Sequence, residues 1–224
     1  TMVELTEGLV AQSVNVWPSV QNDVMALLAP VSRLFAAGFY YKTFMAPSPA
    51  WWRLYEPLIR KAAGFGHAPE GADPERYDHS FGHCDVLVIG AGPSGVMAAL
   101  TAVRSGARVI LVDERDRCGG ALLGSNEEVA GIPASEWVDG TVAAIRRSQE
   151  ARILTRSTAF GYYDGNFIAV LERIPRDGGD RRSARQRLWQ IRARHVVLAT
   201  GAHERPLVFA DNDRPGTMLA GAAA

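Results

Sequence analysis

The sequence predicts an α/β fold built on a parallel sheet, and three observations point to it. A short, mostly apolar segment, Asp85 to Ile89, is typical of a strand buried on both faces of such a sheet. A glycine turn, Gly90 to Gly95, follows directly and opens a segment with helical spacing that ends at Ser105-Gly106. A second β-branched segment, Arg108 to Val112, then completes a strand, turn, helix and strand in that order.

Five of the six residues of the turn have a place in nucleotide binding. Gly90 permits the tight turn, Gly92 lets the backbone approach a pyrophosphate, and Gly95 lets the helix pack on the strand. Pro93 and Ser94 lie at the start of the helix, where free N–H groups and the positive end of the helix dipole favour phosphate. The turn therefore predicts a dinucleotide site.

An acidic pair, Asp113-Glu114, ends the second strand. Asp113 lies 18 residues beyond Gly95, close to the spacing of roughly 20 at which a carboxylate accepts hydrogen bonds from the adenosine ribose. A carboxylate here repels a 2′-phosphate, which favours NAD over NADP, although Arg115 and Arg117 nearby weaken that inference. The residues alone favour NAD and FAD about equally, because both use this unit.

The composition excludes several classes of protein. The 224 residues include 24 basic and 24 acidic ones, so no net charge attracts the chain to nucleic acid or to an anionic membrane. The two cysteines, Cys84 and Cys118, form no Cys-x-x-Cys pair, which argues against a disulfide scaffold or a zinc cluster. No apolar run reaches the roughly 18 residues of a membrane span, and no secretory signal pattern begins the chain. We therefore expect a soluble protein of the reducing cytoplasm.

The N-terminal third predicts an aromatic-rich arm. Helices are predicted from Val20 to Leu28 and from Trp51 to Ala63, and the aromatic residues of segment 33–62 suit a wrapping arm or a contact surface for another subunit. The Gly, Pro, Asp and His residues of Gly64 to His83 predict a linker. We expect residues 1–80 to be the tail of a small N-terminal domain plus this linker, and residues 81–224 to be a dinucleotide-binding domain truncated at its C-terminus.

The C-terminal half predicts a helix, a β-meander and a last strand. A loop with paired glycines, Arg115 to Leu122, and a further loop, Ser125 to Gly131, precede a helix from Ala134 to Gln149. The remaining predicted strands are Ala151–Tyr163 and Asn166–Ile174 about the hairpin signal Asp164-Gly165, then Arg187–Ala193, then a buried strand His195–Leu198. The last strand ends in Ala199-Thr200-Gly201, which brings backbone close to the nucleotide. This order is that of the glutathione-reductase-like, Rossmann-type dinucleotide-binding domain.

Three other groups of residues are weaker candidates for a site. The spacings of His67, His79 and His83 match no metal-ligand pattern, so exposed linker histidines are expected and no metal is predicted. The basic loop 175–185 lacks aromatic residues to stack on bases and suits a solvated hairpin tip. His203-Glu204-Arg205 suits a turn, since adjacent loop residues rarely point into one site. We name no catalytic residue.

Six segments carry a resemblance to a known family. They are residues 38–45 (GFYYKTFM), 55–60 (YEPLIR), 160–164 (FGYYD), 201–209 (GAHERPLVF), 212–216 (NDRPG) and 218–221 (MLAG). With these segments the chain resembles the α subunit of heterotetrameric sarcosine oxidase. The resemblance covers nearly the whole chain but only the front part of that subunit.

The resemblance implies an oxidoreductase that acts on CH–NH donors with oxygen as acceptor. Such a complex demethylates sarcosine to glycine, formaldehyde and hydrogen peroxide, and passes electrons from FAD to FMN and then to oxygen. The implied partners are the β, γ and δ subunits, with FAD in β, FMN at the contact of α with β, and tetrahydrofolate in a domain beyond residue 224. This chain alone is then expected to be inactive.

For this chain the resemblance implies that the dinucleotide is NAD. Gly90, Gly92, Pro93, Ser94 and Gly95 would meet the pyrophosphate, and Asp113, Glu114 and Arg115 would surround the adenosine ribose. Backbone beside the nucleotide would come from Gly120, Ala121, Ala159, Thr200 and Gly201.

Two alternatives stay open at this point. The chain could be a subunit of a related FAD-dependent amine or opine dehydrogenase, with FAD in this site. It could also be a nucleotide-stabilised assembly subunit that performs no chemistry, which the aromatic arm before the nucleotide domain would suit.

Overall fold

The computed structural model describes residues 13–14, 16–28, 48–64, 70–175, 183–212 and 214–223. The chain divides into two compact units, Thr1–Asp73 and Pro74–Ala224. The proposed boundary after residue 80 falls within the first strand of the second unit, β1 (Tyr77–Ile89). Residues 33–47 of the predicted arm, His67, and residues 176–182 of the basic loop lie outside the described residues.

The first unit is helical over most of its described part. The predicted helix from Val20 is wrong in type and length, since a 3₁₀ helix spans only Val24–Leu28. The Asp23 carboxylate explains this, because it accepts the Trp17 and Met25 amides at 3.1 and 2.9 Å and closes a turn there. The second predicted helix is present as α1 (Ser48–Ala50), a π-helical turn (Trp51–Tyr55) and α2 (Glu56–Ala62).

The second unit contains a six-stranded mixed sheet. Its strands are β1, β2 (Val109–Val112), β5 (Ala151–Leu154), β6 (Ser157–Tyr163), β7 (Phe167–Arg173) and β8 (Gln186–Leu198), and their order across the sheet is β5-β2-β1-β8-β7-β6. The first four strands in this order are parallel to one another, whereas β7 runs antiparallel to both β8 and β6. This mixed sheet confirms the predicted α/β fold with a parallel sheet and a β-meander.

The helices of this unit follow the parallel strands. They are α3 (Pro93–Arg104), which links β1 to β2, α4 (Ala134–Arg146), which precedes β5, and the short α5 (Ala220–Ala223). A 3₁₀ helix, Gly120–Gly124, and a small hairpin of β3 (Glu128–Val129) and β4 (Ile132–Pro133) occupy the region predicted as loops.

Two strands differ from the prediction in their extent. β1 begins at Tyr77 instead of Asp85, so His79 and His83 lie exposed on a strand and not in a linker. β8 is one strand where two were predicted, and it pairs with β1 in parallel from Tyr77 and Gln186 to Ile89 and Leu198.

The end of β8 is also less buried than predicted. Pairing with β7 stops at Arg192, so from there on β8 is paired on its β1 side only. His195 is accordingly exposed, and 64% of Leu198 is exposed.

The predicted hairpin at Asp164-Gly165 is confirmed. β6 and β7 pair from Ser157 and Glu172 to Tyr163 and Phe167, with a bulge between Ala159 and Gly161. Gly165 and Asn166 both have positive φ, 68° and 51°, as tight hairpin turns require. The strand predicted to run from Ala151 to Tyr163 is split, because Arg156, with φ 52°, turns the chain between β5 and β6.

The core lies on both faces of the sheet. On one face, α3 and α4 cover β1 and β2 through Val88, Leu111, Val96, Val142 and Ile145, each less than a tenth exposed. On the other face, β7 and β8 contribute Ile168, Val170 and Ile191 to a cluster with Leu87 and Ile110. The second half of β1 and all of β2 are thus covered on both faces, which explains the apolar sequences of Val86–Ile89 and Val109–Val112.

Within the described part of the chain, no helix has the length and apolar character needed to cross a membrane.

Candidate nucleotide-binding site

The glycine turn lies at the carboxyl end of β1. Gly90 has φ 98°, and a Cβ at this position would overlap the Ala199 carbonyl of the neighbouring strand end. A Cβ on Gly95 would overlap the Gly90 carbonyl oxygen. These two glycines therefore let the turn, the helix and β8 approach one another closely.

Gly92 has a different environment. Its φ of −68° and ψ of −178° suit any residue, and a Cβ here would meet no atom within 4 Å. The backbone of Gly92 is therefore open on the side where a side chain would project. An open glycine at this position of the turn is what lets backbone approach a pyrophosphate in dinucleotide-binding folds.

The start of α3 supplies backbone donors beside that space. The first bond within the helix runs from the Val96 N–H to the Gly92 carbonyl at 2.9 Å. The amides of Ser94 and Gly95 precede it, and Pro93 at the first helical position has no N–H to leave unsatisfied. The helix end can thus offer N–H groups and a positive dipole end to a phosphate.

Asp113 lies directly after β2 and contacts the turn. Its Oδ2 accepts the Ala91 N–H at 2.6 Å, and its Oδ1 accepts the Arg115 N–H at 2.9 Å. The side chain is half-buried. Asp113 thus reaches the glycine turn, a contact that the sequence did not predict, and its predicted contact with the ribose stays a prediction.

The loop after β2 closes against the other side of the turn. The Gly119 N–H donates to the Ala91 carbonyl at 2.7 Å, and a Cβ on Gly120 would lie 2.8 Å from the Gly92 Cα. Cys118, next to this contact, is buried, and burial raises the pKa of its thiol to about 11. Ala121 is exposed at the start of the 3₁₀ helix.

The remaining predicted residues lie around these contacts. Glu114 and Arg115 are exposed; the Glu114 carbonyl accepts a bond from Arg173 at 2.8 Å, and the Arg115 guanidinium donates to the Gly120 carbonyl at 3.4 Å. Thr200 and Gly201 are exposed and follow Ala199, whose N–H donates to the Ile89 carbonyl at 2.8 Å. Ala159 lies in β6 and packs against the core cluster that includes Ile89 at its edge.

Sequence reasoning missed Ala91 as an anchor of the turn. Ala91 is fully buried, its N–H bonds to Asp113, and its carbonyl bonds to Gly119. Its small side chain gives no motif signal, because any residue can occupy the variable position of a Gly-x-Gly turn. In the weaker candidate group His203-Glu204-Arg205, the Glu204 carboxylate accepts the Gly221 N–H at 3.0 Å.

These residues fit a dinucleotide. An open backbone cradle at Gly92, helix amides at Ser94 and Gly95 and a carboxylate at Asp113 match the pyrophosphate and the ribose of such a ligand. Among the described residues, no group of three or more His, Cys, Asp or Glu side chains could hold a metal ion.

Fold and site together define a dinucleotide-binding domain of the oxidoreductase type, and comparisons with known proteins agree. Residues 85–162 match the family model described as FAD dependent oxidoreductase. The α subunit of sarcosine oxidase from Rhizobium meliloti (strain 1021) is 52% identical over 99% of this chain. The chain is a homologue of sarcosine oxidase α subunits.

Two further comparisons are more distant. A subunit of opine oxidase from Agrobacterium tumefaciens (strain Ach5) is 34% identical over 62% of this chain, which corresponds to 28% of that relative. The solved L-proline dehydrogenase from P. horikoshii is 30% identical, with a TM-score of 0.48, over 62% of this chain and 27% of that one. The chain spans only 23% of the length of the R. meliloti sarcosine oxidase relative.

Proposed function

We propose that this chain is the NAD-binding part of the α subunit of a sarcosine oxidase complex. In that complex, sarcosine is oxidatively demethylated with oxygen as acceptor, and the β, γ and δ subunits are the partners. The chemistry occurs outside this chain, whose residues bind and orient the nucleotide. FAD, FMN and tetrahydrofolate belong to other parts of the assembly.

One observation carries the nucleotide-binding part of this proposal. The Gly92 backbone is open where a Cβ would project, directly beside the first amides of α3. Phosphate groups favour such a place, because N–H groups and the helix dipole both point at it. Relatives that are named as α subunits of sarcosine oxidase support the assignment to that complex.

The ribose end of the site favours NAD over NADP. The Asp113 carboxylate already lies against the turn, where it would repel a 2′-phosphate. The choice of NAD over FAD rests on the resemblance to α subunits.

FAD in the same site is the second candidate. The match of residues 85–162 to an FAD dependent oxidoreductase model specifically favours it, and so does the 34% identity to an opine oxidase component. An FAD pyrophosphate would use the same glycine turn and the same helix amides.

Spectroscopy and calorimetry of the purified chain distinguish the two candidates. We expect no flavin absorbance in the chain as isolated, a measurable heat when NAD is titrated, and much weaker binding of NADP. A yellow protein that releases FAD on denaturation would show that the site binds FAD and not NAD. If the folded chain binds neither dinucleotide, the nucleotide-binding proposal is wrong.

A further inference from the structure

The Asp113 side chain is held in place by backbone donors on two sides. Among the described residues, its side chain has two hydrogen-bond partners, the backbone N–H groups of Ala91 at 2.6 Å and Arg115 at 2.9 Å. Its own backbone is bonded as well, from its N–H to the Leu154 carbonyl at 2.9 Å and from the Ser157 N–H to its carbonyl at 2.7 Å. The carboxylate is therefore a fixed point between the turn and the loop that follows β2.

The two amides that Asp113 accepts belong to the two walls of the site. Ala91 lies between Gly90 and Gly92 in the turn, and it is fully buried. Arg115 begins the loop that returns to the turn, where the Gly119 N–H bonds to the Ala91 carbonyl at 2.7 Å. The turn and the loop are thus joined twice, once through the Asp113 carboxylate and once directly.

We propose that Asp113 is a positioning residue, whose main contribution to nucleotide affinity is to hold the glycine turn and the 115–120 loop in their binding geometry. This inference rests on the proposed function and extends it. Hydrogen bonds from N–H groups to a charged acceptor are stronger than those to a neutral one. A turn and a loop held by such bonds lose less conformational entropy when a ligand binds, which raises its affinity. Contacts from Asp113 to the ribose hydroxyls are secondary to this role.

The variant Asp113→Asn breaks the arrangement with little change in shape. An amide has one acceptor oxygen, so in either orientation its NH₂ faces one of the two backbone N–H groups. The matched control is Asp85→Asn. Asp85 also accepts a backbone N–H, that of Arg108 at 2.9 Å, but Arg108 precedes β2 and so lies at its opposite end.

The test combines this variant with a ligand that lacks the ribose contact. The dissociation constants of NAD and of its 2′,3′-dideoxyadenosine analogue, which has neither ribose hydroxyl on the adenosine, are measured for the wild type, Asp113→Asn and Asp85→Asn. We expect Asp113→Asn to weaken both ligands by the same factor, about tenfold or more, and Asp85→Asn to weaken neither. A loss for NAD that disappears with the dideoxy analogue, or no loss for either ligand, would overturn the inference.

Hydrogen exchange separates this inference from the proposed function. In the ligand-free protein, Asp113→Asn should speed exchange of the Ala91 amide, and Asp85→Asn should not. If the wild type binds no NAD, the proposed function fails, whereas unchanged Ala91 exchange in Asp113→Asn refutes the positioning role in either case.

Should Asp113→Asn not fold, the wild type alone decides. The dideoxy analogue must then bind within about threefold of NAD, and a larger loss would show that ribose contacts carry much of the affinity and would overturn the inference.

Discussion

The two ends of the β1–β2 pair each carry an aspartate, and the two aspartates differ in the kind of group that they accept hydrogen bonds from. Asp85 stands just before the paired residues Val86 and Val109, and Asp113 just after Val112. Asp85 accepts the Arg108 N–H at 2.9 Å and both arms of its guanidinium, Nη2 at 2.9 Å and Nε at 3.1 Å. Asp113 accepts backbone N–H groups of the turn and the loop.

We therefore expect Asp85 to contribute to stability and Asp113 to contribute to nucleotide binding. At the amino end a cation neutralises the carboxylate within the strand pair, and the Arg108 guanidinium lowers the pKa of Asp85 to about 2. At the carboxyl end the carboxylate organises backbone around an open space beside Gly92. Ligands of parallel α/β sheets bind outside the carboxyl ends of the strands, so the proposed nucleotide is expected at the second arrangement.

The largest expected effect is that of Gly95→Ala on folding. The new Cβ would overlap the Gly90 carbonyl oxygen, which is backbone and cannot rotate away. We expect a loss of at least about 3 kcal/mol in the free energy of unfolding, or no folded protein at all, measured by urea denaturation.

A glycine elsewhere in a helix supplies the control for this variant. Gly140 in α4 is exposed, and a Cβ there meets nothing within 4 Å, so Gly140→Ala should stabilise by up to about 1 kcal/mol. Equal stabilities of Gly95→Ala and Gly140→Ala would contradict the close contact of α3 with the turn.

Gly92→Ala should affect binding and leave stability nearly unchanged. The backbone of Gly92 suits alanine and no atom obstructs the new methyl group, but the methyl would occupy the space assigned to the pyrophosphate. We expect NAD to bind about tenfold more weakly or worse, equal to roughly 1.4 kcal/mol, with an unchanged melting temperature. Gly140→Ala again serves as the control. Unaltered NAD affinity in Gly92→Ala would show that the ligand does not bind against the turn.

Asp85→Asn should reduce stability in a pH-dependent way. The folded-state pKa of Asp85, about 2, lies below the ordinary value of 3.8, so its contribution is fully present above pH 3.8 and is lost as the pH falls towards 2. In urea titrations, wild type and Asp85→Asn should therefore differ most at neutral pH and converge near about pH 2. A difference in the free energy of unfolding that stays constant across this pH range would show that the Asp85 charge does not contribute to stability.

The smallest expected effect concerns the two buried thiols. Burial raises the pKa of both Cys84 and Cys118 to about 11, so at neutral pH both should react slowly with iodoacetamide. Cys118 adjoins the Gly119 contact with the turn, whereas Cys84 lies in the core near the amino end. Bound NAD should slow alkylation of Cys118 further and leave the alkylation rate of Cys84 unchanged. Protection of Cys84 alone would indicate that the ligand binds at the amino end of the β1–β2 pair and would contradict the proposal.

The carboxyl end of the β1–β2 pair was the part most accessible from sequence. The end of β1, the helix α3 and β2 were predicted almost to the residue, because glycines at fixed spacing and β-branched runs report local backbone geometry directly. The hairpin at Asp164-Gly165 was predictable for the same reason. The ligand contacts proposed for the site residues stay predictions.

The misplaced strands depend on neighbours that no local pattern reports. In the first half of β1, from Tyr77 to His83, exposed residues alternate with less exposed ones, and no apolar run marks a strand. This segment is a strand because β8 pairs with it. His195 to Leu198 reads as buried because it is apolar, yet it is partly exposed because β7 stops pairing at Arg192. The bonds of Asp113 to Ala91 and Arg115 likewise arise only when the turn and the loop close on each other.

Hydrogen exchange with and without NAD tests the central claim most directly. If the carboxyl end of the β1–β2 pair binds the nucleotide, NAD should slow amide exchange in residues 91–95 and 115–121 and leave residues 77–85 unchanged. Protection that is absent from the turn, or equal at both ends of the pair, would contradict the claim.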